Sequence, residues 1–117
     1  MLIGTLRGQA ATRDLLREVA SQRCVVSVLT RAELLVGMRG RLAAETLLLL
    51  RLYRPVDVDA DIADLAARFG RRYRATHTGK LPDLLIAATA VVHRLHLVTL
   101  NRRDFPMPEV SLYPERT

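Results

Sequence analysis

The sequence predicts an α/β domain with a mostly parallel central sheet covered by helices on both faces. Two observations predict it. Short, β-branched apolar runs such as Cys24-Val25-Val26-Ser27-Val28 read as buried strands. Between such runs lie stretches whose apolar residues return at helical spacing, as Ile62, Leu65, Ala66 and Phe69 do. Strands alternating with helices build βαβ units, and those give parallel pairing.

Taken in order, residues 11–20 are expected to form a short amphipathic helix. Leu15, Leu16 and Val19 share one side, with Arg13, Asp14, Arg17 and Glu18 elsewhere. The strand at 24–28 follows. Thr30 can cap a helix from Arg31, with Glu33 three residues on as in a capping box. That helix is interrupted near Gly37 and Gly40 and resumes over 43–52. Residues 55–58 are a second, weaker strand. Asp59 caps the helix carrying the Ile62 stripe, whose basic end, Arg71, Arg72 and Arg74, suits the negative pole of the helix dipole. Residues 76–80 form a loop, and Pro82 starts an apolar helix reaching Val92. A strand at 96–99, a polar turn at 101–104 and a closing edge strand near 110–112 complete the pattern.

Composition bounds the function. With 117 residues, 50% hydrophobic and 26% charged, the chain is expected to be one globular domain over 1–117 and not a disordered tail. Aromatics are 4% and Trp is absent, so the core is aliphatic. A single cysteine, Cys24, has no partner for an internal disulfide; it reads as a packed core thiol. The longest apolar run, 81–92, falls well short of the ~20 residues that span a bilayer and contains Pro82 and Asp83. With no signal-peptide pattern at the start, the reading is a cytoplasmic domain with no membrane association. The net charge is +6, and seventeen of the eighteen basic residues are Arg. Arginine suits bidentate contact with phosphate, so a nucleic-acid partner is expected, although GC-rich coding gives the same Arg bias.

Three acids sit where packing alone would not choose them. Glu33 lies among Leu29, Ala32, Leu34 and Val36. Asp83 is the only charge between Lys80 and His93. Asp104 follows a strand end, in Thr99-Leu100-Asn101-Arg102-Arg103-Asp104-Phe105. Each has a plain alternative: a capping box for Glu33, a helix-dipole acid for Asp83, a surface pair with Arg102 or Arg103 for Asp104. Together, one in the first turn of a helix after a strand, one opening a helix and one after a strand, they fall where ligands gather in parallel sheets. Acids converging there would make an oxygen-only site for Mg²⁺ or Mn²⁺. His93 and His96 straddle a helix end and a strand start, His77 lies in a loop, and Asp57, Asp59, Asp61 and Asp64 are explained by capping and the helix dipole.

Three segments carry a family resemblance. Ser27, Thr30, Glu33 and Gly37 resemble the Ser-x-x-Thr-x-x-Glu-x-x-x-Gly segment of PIN-domain toxins, the VapC family. Pro82-Asp83-Leu84-Leu85-Ile86-Ala87-Ala88 is similar to that family's Pro-Asp-x-x-Ile-Ala-Ala helix, and Thr99 to Phe105 to its Thr-x-Asn-x-x-Asp-Phe turn. The resemblance implies a PIN-like α/β/α sandwich and a Mg²⁺-dependent endoribonuclease, with Mn²⁺ as the other candidate cofactor. It implies an RNA substrate, a cognate antitoxin encoded nearby and a homodimer. Glu33, Asp83 and Asp104 would be the catalytic metal ligands, with Asn101 beside them. Ser27 and Thr30 would orient the carboxylates by hydrogen bonds.

The chain departs from the family at its start. Family members open with an apolar strand ending in Asp, and Leu2-Ile3 align just after that acid. The first strand and its metal ligand are therefore expected to be missing, leaving strand edges unpaired. Met1 stands where the family carries Val, which suggests a start codon placed downstream of the natural one. Two other readings stand beside the nuclease: an inactive PIN remnant that binds antitoxin or nucleic acid, and a basic helical nucleic-acid-binding domain with no enzymatic ancestry.

Overall fold

In the computed structural model, residues 2–5, 24–37, 39–40, 42–74, 80–99 and 102–113 are described. The helix expected over 11–20, His77 and Asn101 lie outside them. The strands are β1 (Leu2–Thr5), β2 (Cys24–Ser27), β3 (Arg54–Val56), β4 (His96–Thr99) and β5 (Ser111–Leu112). The helices are α1 (Val28–Gly37), α2 (Leu42–Leu52), α3 (Ala60–Arg72) and α4 (Leu81–Val92), with a 3-10 turn at Arg102–Asp104. The strands form one sheet in the order β3-β2-β1-β4-β5, and every described pairing is parallel. An all-helical domain is excluded.

The centre of the sheet is occupied, contrary to the expectation of a missing first strand. β1 pairs with β2 from Leu2 opposite Cys24 and with β4 from Leu2 opposite His96. The physical reason is demand from both sides: β2 and β4 each need a neighbour for their backbone groups, and Leu-Ile-Gly-Thr is apolar enough to supply it. The outer strands suit edges. β3 is three residues long and contains Pro55, which has no N–H to leave unpaired, and β5 is two residues long.

Side-chain alternation divides the core. Val25 and Val26 are neighbours in β2 and so face opposite sides of the sheet. Val25 belongs with Ile62, Phe69, Ile86, Leu97 and Phe105, under α3 and α4. Val26 packs with Leu34, Leu50 and Tyr53, under α1 and α2. The expected sandwich is thus built on two faces that are mostly aliphatic, with Phe69 and Phe105 in one and Tyr53 in the other, each fully buried large side chain contributing about 1.5–3 kcal/mol.

Helix ends follow local chemistry. Asp59 caps α3 as expected, its Oδ1 accepting the Ile62 N–H at 3.0 Å. α1 begins three residues before the expected Arg31. Ser27, the last residue of β2, accepts the Leu29 N–H on its hydroxyl at 3.2 Å, so the strand feeds directly into the helix. A hydroxyl at the strand's own end caps first, and Thr30 falls inside the first turn. The capping-box reading of Thr30 and Glu33 therefore fails.

Candidate functional site

In a parallel sheet the loops and helix starts beyond the strands' carboxyl ends form the natural site. β2 ends at Ser27 and leads into α1, which carries Thr30 and Glu33. β4 ends at Thr99, in register with Thr5 at the end of β1, and Asp104 closes the 3-10 turn that follows. α4 packs on β1 and β4 and reaches β4 through a short turn, so its first turn, with Asp83, lies back toward the same edge. The topology sets the segments bearing all three acids at one edge of the sheet.

Their surroundings differ. Asp83 is 3% exposed, in the first turn of an apolar helix whose Ile86, Ala87 and Ala88 are fully buried. A carboxylate that far from water costs several kcal/mol unless it is hydrogen-bonded, paired or bound to a cation. Asp104 is half-buried and Glu33 is exposed. On α1 the inward face runs through Thr30 and Leu34, which places Glu33 on the shoulder of the helix. Ser27, Thr30 and Thr99 are buried hydroxyls at this edge. The Ser27 cap uses a hydroxyl lone pair and not its proton, so the residue keeps a donor for a carboxylate.

Among the described residues, no three His, Cys, Asp or Glu side chains are gathered closely enough to hold a metal ion. Glu33, Asp83 and Asp104 therefore share an edge without forming a closed cluster. The donors there are carboxylate and hydroxyl oxygens, which fit a hard divalent cation in kind. No acid precedes Asp14 in the sequence, and the central strand ends on Thr5. His93 closes α4 and His96 opens β4, as their spacing implied.

Basic residues flank the acids, and sequence reasoning undervalued them. Lys80 is the exposed residue at the start of α4, three positions before Asp83. Arg102 and Arg103 are exposed in the turn that Asp104 closes, and half-exposed Arg31 precedes Glu33 by two. The signal was available: a cation within three positions of each acid. From sequence alone, Arg102 and Arg103 read as surface partners of Asp104.

Comparison with known proteins matches this architecture to one family. Residues 1–109 match the PIN domain. The chain is 42% identical over 111 residues to ribonuclease VapC10 of Mycobacterium tuberculosis, covering 93% of this chain and 84% of that protein. It is also 42% identical over 106 residues to ribonuclease VapC19 of the same species, covering 87% and 84%. The solved structure of DNA-bound VapBC from Salmonella typhimurium superposes with a TM-score of 0.75 at 20% identity, over 95% of each chain, a likeness of fold. The chain belongs to the PIN-domain family, in its VapC branch.

Proposed function

We propose that the protein is the toxin of a toxin–antitoxin pair, a divalent-metal-dependent endoribonuclease acting as one domain over residues 1–117. The observation that carries this reading is the 42% identity, over nearly the whole chain, to two proteins named as ribonucleases. The buried Asp83 at the carboxyl edge supports it.

In this reading Asp83 is the central ligand for Mg²⁺, with Mn²⁺ as the alternative. Glu33 and Asp104 supply the further carboxylates from α1 and the 3-10 turn. A bound cation of this kind supplies positive charge to the scissile phosphate and lowers the pKa of an attacking water. Ser27 and Thr30 hold the carboxylates in orientation, with Asn101 assigned the same part from the family motif. Lys80, Arg31, Arg102 and Arg103 draw the RNA backbone to an edge that its carboxylates would otherwise repel. The partner is a cognate antitoxin encoded nearby, and the active assembly is a homodimer.

One observation favours a second reading, the inactive remnant. Among the described residues, no three acids gather closely enough to hold a metal ion, which leaves Glu33, Asp83 and Asp104 as an open set. Expression in a bacterial host separates the two. A nuclease arrests growth, and co-expression of the adjacent small reading frame relieves the arrest and yields a co-purifying complex. Complex formation with neither growth arrest nor RNA cleavage in Mg²⁺ or Mn²⁺ would assign the chain to the remnant.

A further inference from the structure

At the end of the sheet away from the acids, α4 stops in a Schellman motif. The Leu95 N–H donates to the Ala90 carbonyl at 2.8 Å and the Arg94 N–H to the Val91 carbonyl at 3.2 Å. The residue that turns the chain there is Arg94, at φ 55°. Glycine is the usual occupant of that position because it has no Cβ to strain in the left-handed region. An arginine there carries a steric cost that a glycine would not. The positive charge suits the carboxyl end of the helix, and strain kept at such a position also raises the question of what the side chain reaches.

Arg94 borders a cavity of 220 Å³ whose lining includes Ala90 and Leu95 together with His96, Glu109 and Ser111. His96 and Ser111 are opposite one another in the β4–β5 pairing. Glu109 would repel an anion, but Arg72 Nη1 lies 2.8 and 2.7 Å from its two carboxylate oxygens and offsets its charge. Arg94 then dominates the charge of the cleft, with an imidazole and a hydroxyl beside it. The volume is below the range that holds drug-sized ligands, about 300–1,000 Å³, and suits a single small group.

We propose that this cleft is an ancillary site for a phosphate monoester, held by the Arg94 guanidinium with His96 and Ser111 beside it. The inference is independent of the carboxyl-edge chemistry. A terminal phosphate of RNA and a free phosphate or nucleotide share this group.

The test is a titration of the full-length protein with inorganic phosphate, followed by amide chemical shifts, in the absence of divalent metal and against chloride at matched ionic strength. Saturable shifts confined to residues near Arg94, His96 and Ser111 are expected. Arg94→Gly should bind about tenfold more weakly while melting no lower than the wild type, because glycine relieves the strain. Should that variant fold poorly, Arg94→Asn, which also tolerates the left-handed region, makes the same comparison. Two further arms identify the source. Tighter binding of a 5′-phosphorylated RNA oligomer than of its 5′-hydroxyl form places an RNA end in the cleft. Equal binding of those oligomers, with saturable binding of inorganic phosphate, places a free phosphate there. Affinity unchanged in the folded Arg94 variants, or shifts reproduced by chloride, would overturn the proposal.

Discussion

Arg72 sets one guanidinium nitrogen, Nη1, against both carboxylate oxygens of Glu109, 37 positions along the chain, and so ties the end of α3 to the turn before β5. The guanidinium also lies 5.5 Å from the Phe69 ring centre and 5.8 Å from that of Tyr73. Hydrogen bonding from Arg72 holds the Glu109 carboxyl below its ordinary 4.5, and Glu109 in turn raises Arg72. Both side chains are well exposed, at 48% and 38%, so water and salt screen the pair.

The pH dependence follows from the sign of that shift. A carboxylate whose folded pKa is depressed contributes stability above its unfolded pKa and loses it as pH falls through the folded value. Glu109→Gln should therefore be less stable than wild type at neutral pH and low salt. The gap should close below the ordinary carboxylate range and narrow in high salt. Urea midpoints measured at both pH values check this, and a gap that persists in acid would contradict it.

The α3 cap gives a quantitative expectation. Asp59→Ala removes the acceptor of the Ile62 N–H and should cost about 1 kcal/mol. Asp59→Asn keeps a capping oxygen and should lose only a small part of that. Chemical denaturation of the two variants side by side separates the cap from a general charge effect.

Gly70 tests how closely α3 and α4 approach. A Cβ added there would sit 3.1 Å from Leu84 Cδ1, a side-chain tip that can move a few tenths of an ångström. Alanine also gains up to about 1 kcal/mol of helix propensity, so Gly70→Ala should change stability by less than that. Gly70→Val adds two further methyls against the same leucine and should cost about 1–3 kcal/mol. A urea midpoint for Gly70→Val equal to wild type would mean the helices are further apart than described.

Much of the fold was legible because its signals were local. The β-branched run at Cys24–Ser27, the stripe of Ile62, Ala66 and Phe69, and Asp59 before it each specify an element without reference to the rest of the chain. The central strand was missed because motif alignment placed Leu2 and Ile3 after the first strand, whereas pairing with β2 and β4 is a demand of the whole sheet. Asp83 was legible at the site as a lone charge in an apolar helix, and it is buried. The exposure of Glu33 was not legible: its neighbours Ala32 and Val36 are apolar yet exposed, Val36 at 86%, because α1 turns Thr30 and Leu34 inward. Apolar residues left on a surface carry no mark in the sequence.

The most direct measurement is RNA cleavage by the purified protein with Mg²⁺, compared with Asp83→Asn and with the exposed, fold-neutral Glu33→Gln. If these carboxylates hold the metal as proposed, loss of either charge at almost constant volume should reduce the rate by about two orders of magnitude or more. Circular dichroism spectra should match the wild type, and chelation should abolish wild-type cleavage. Cleavage at wild-type rates in both variants, or unaffected by chelation, would contradict the assignment of a metal-dependent site at the carboxyl edge of the sheet.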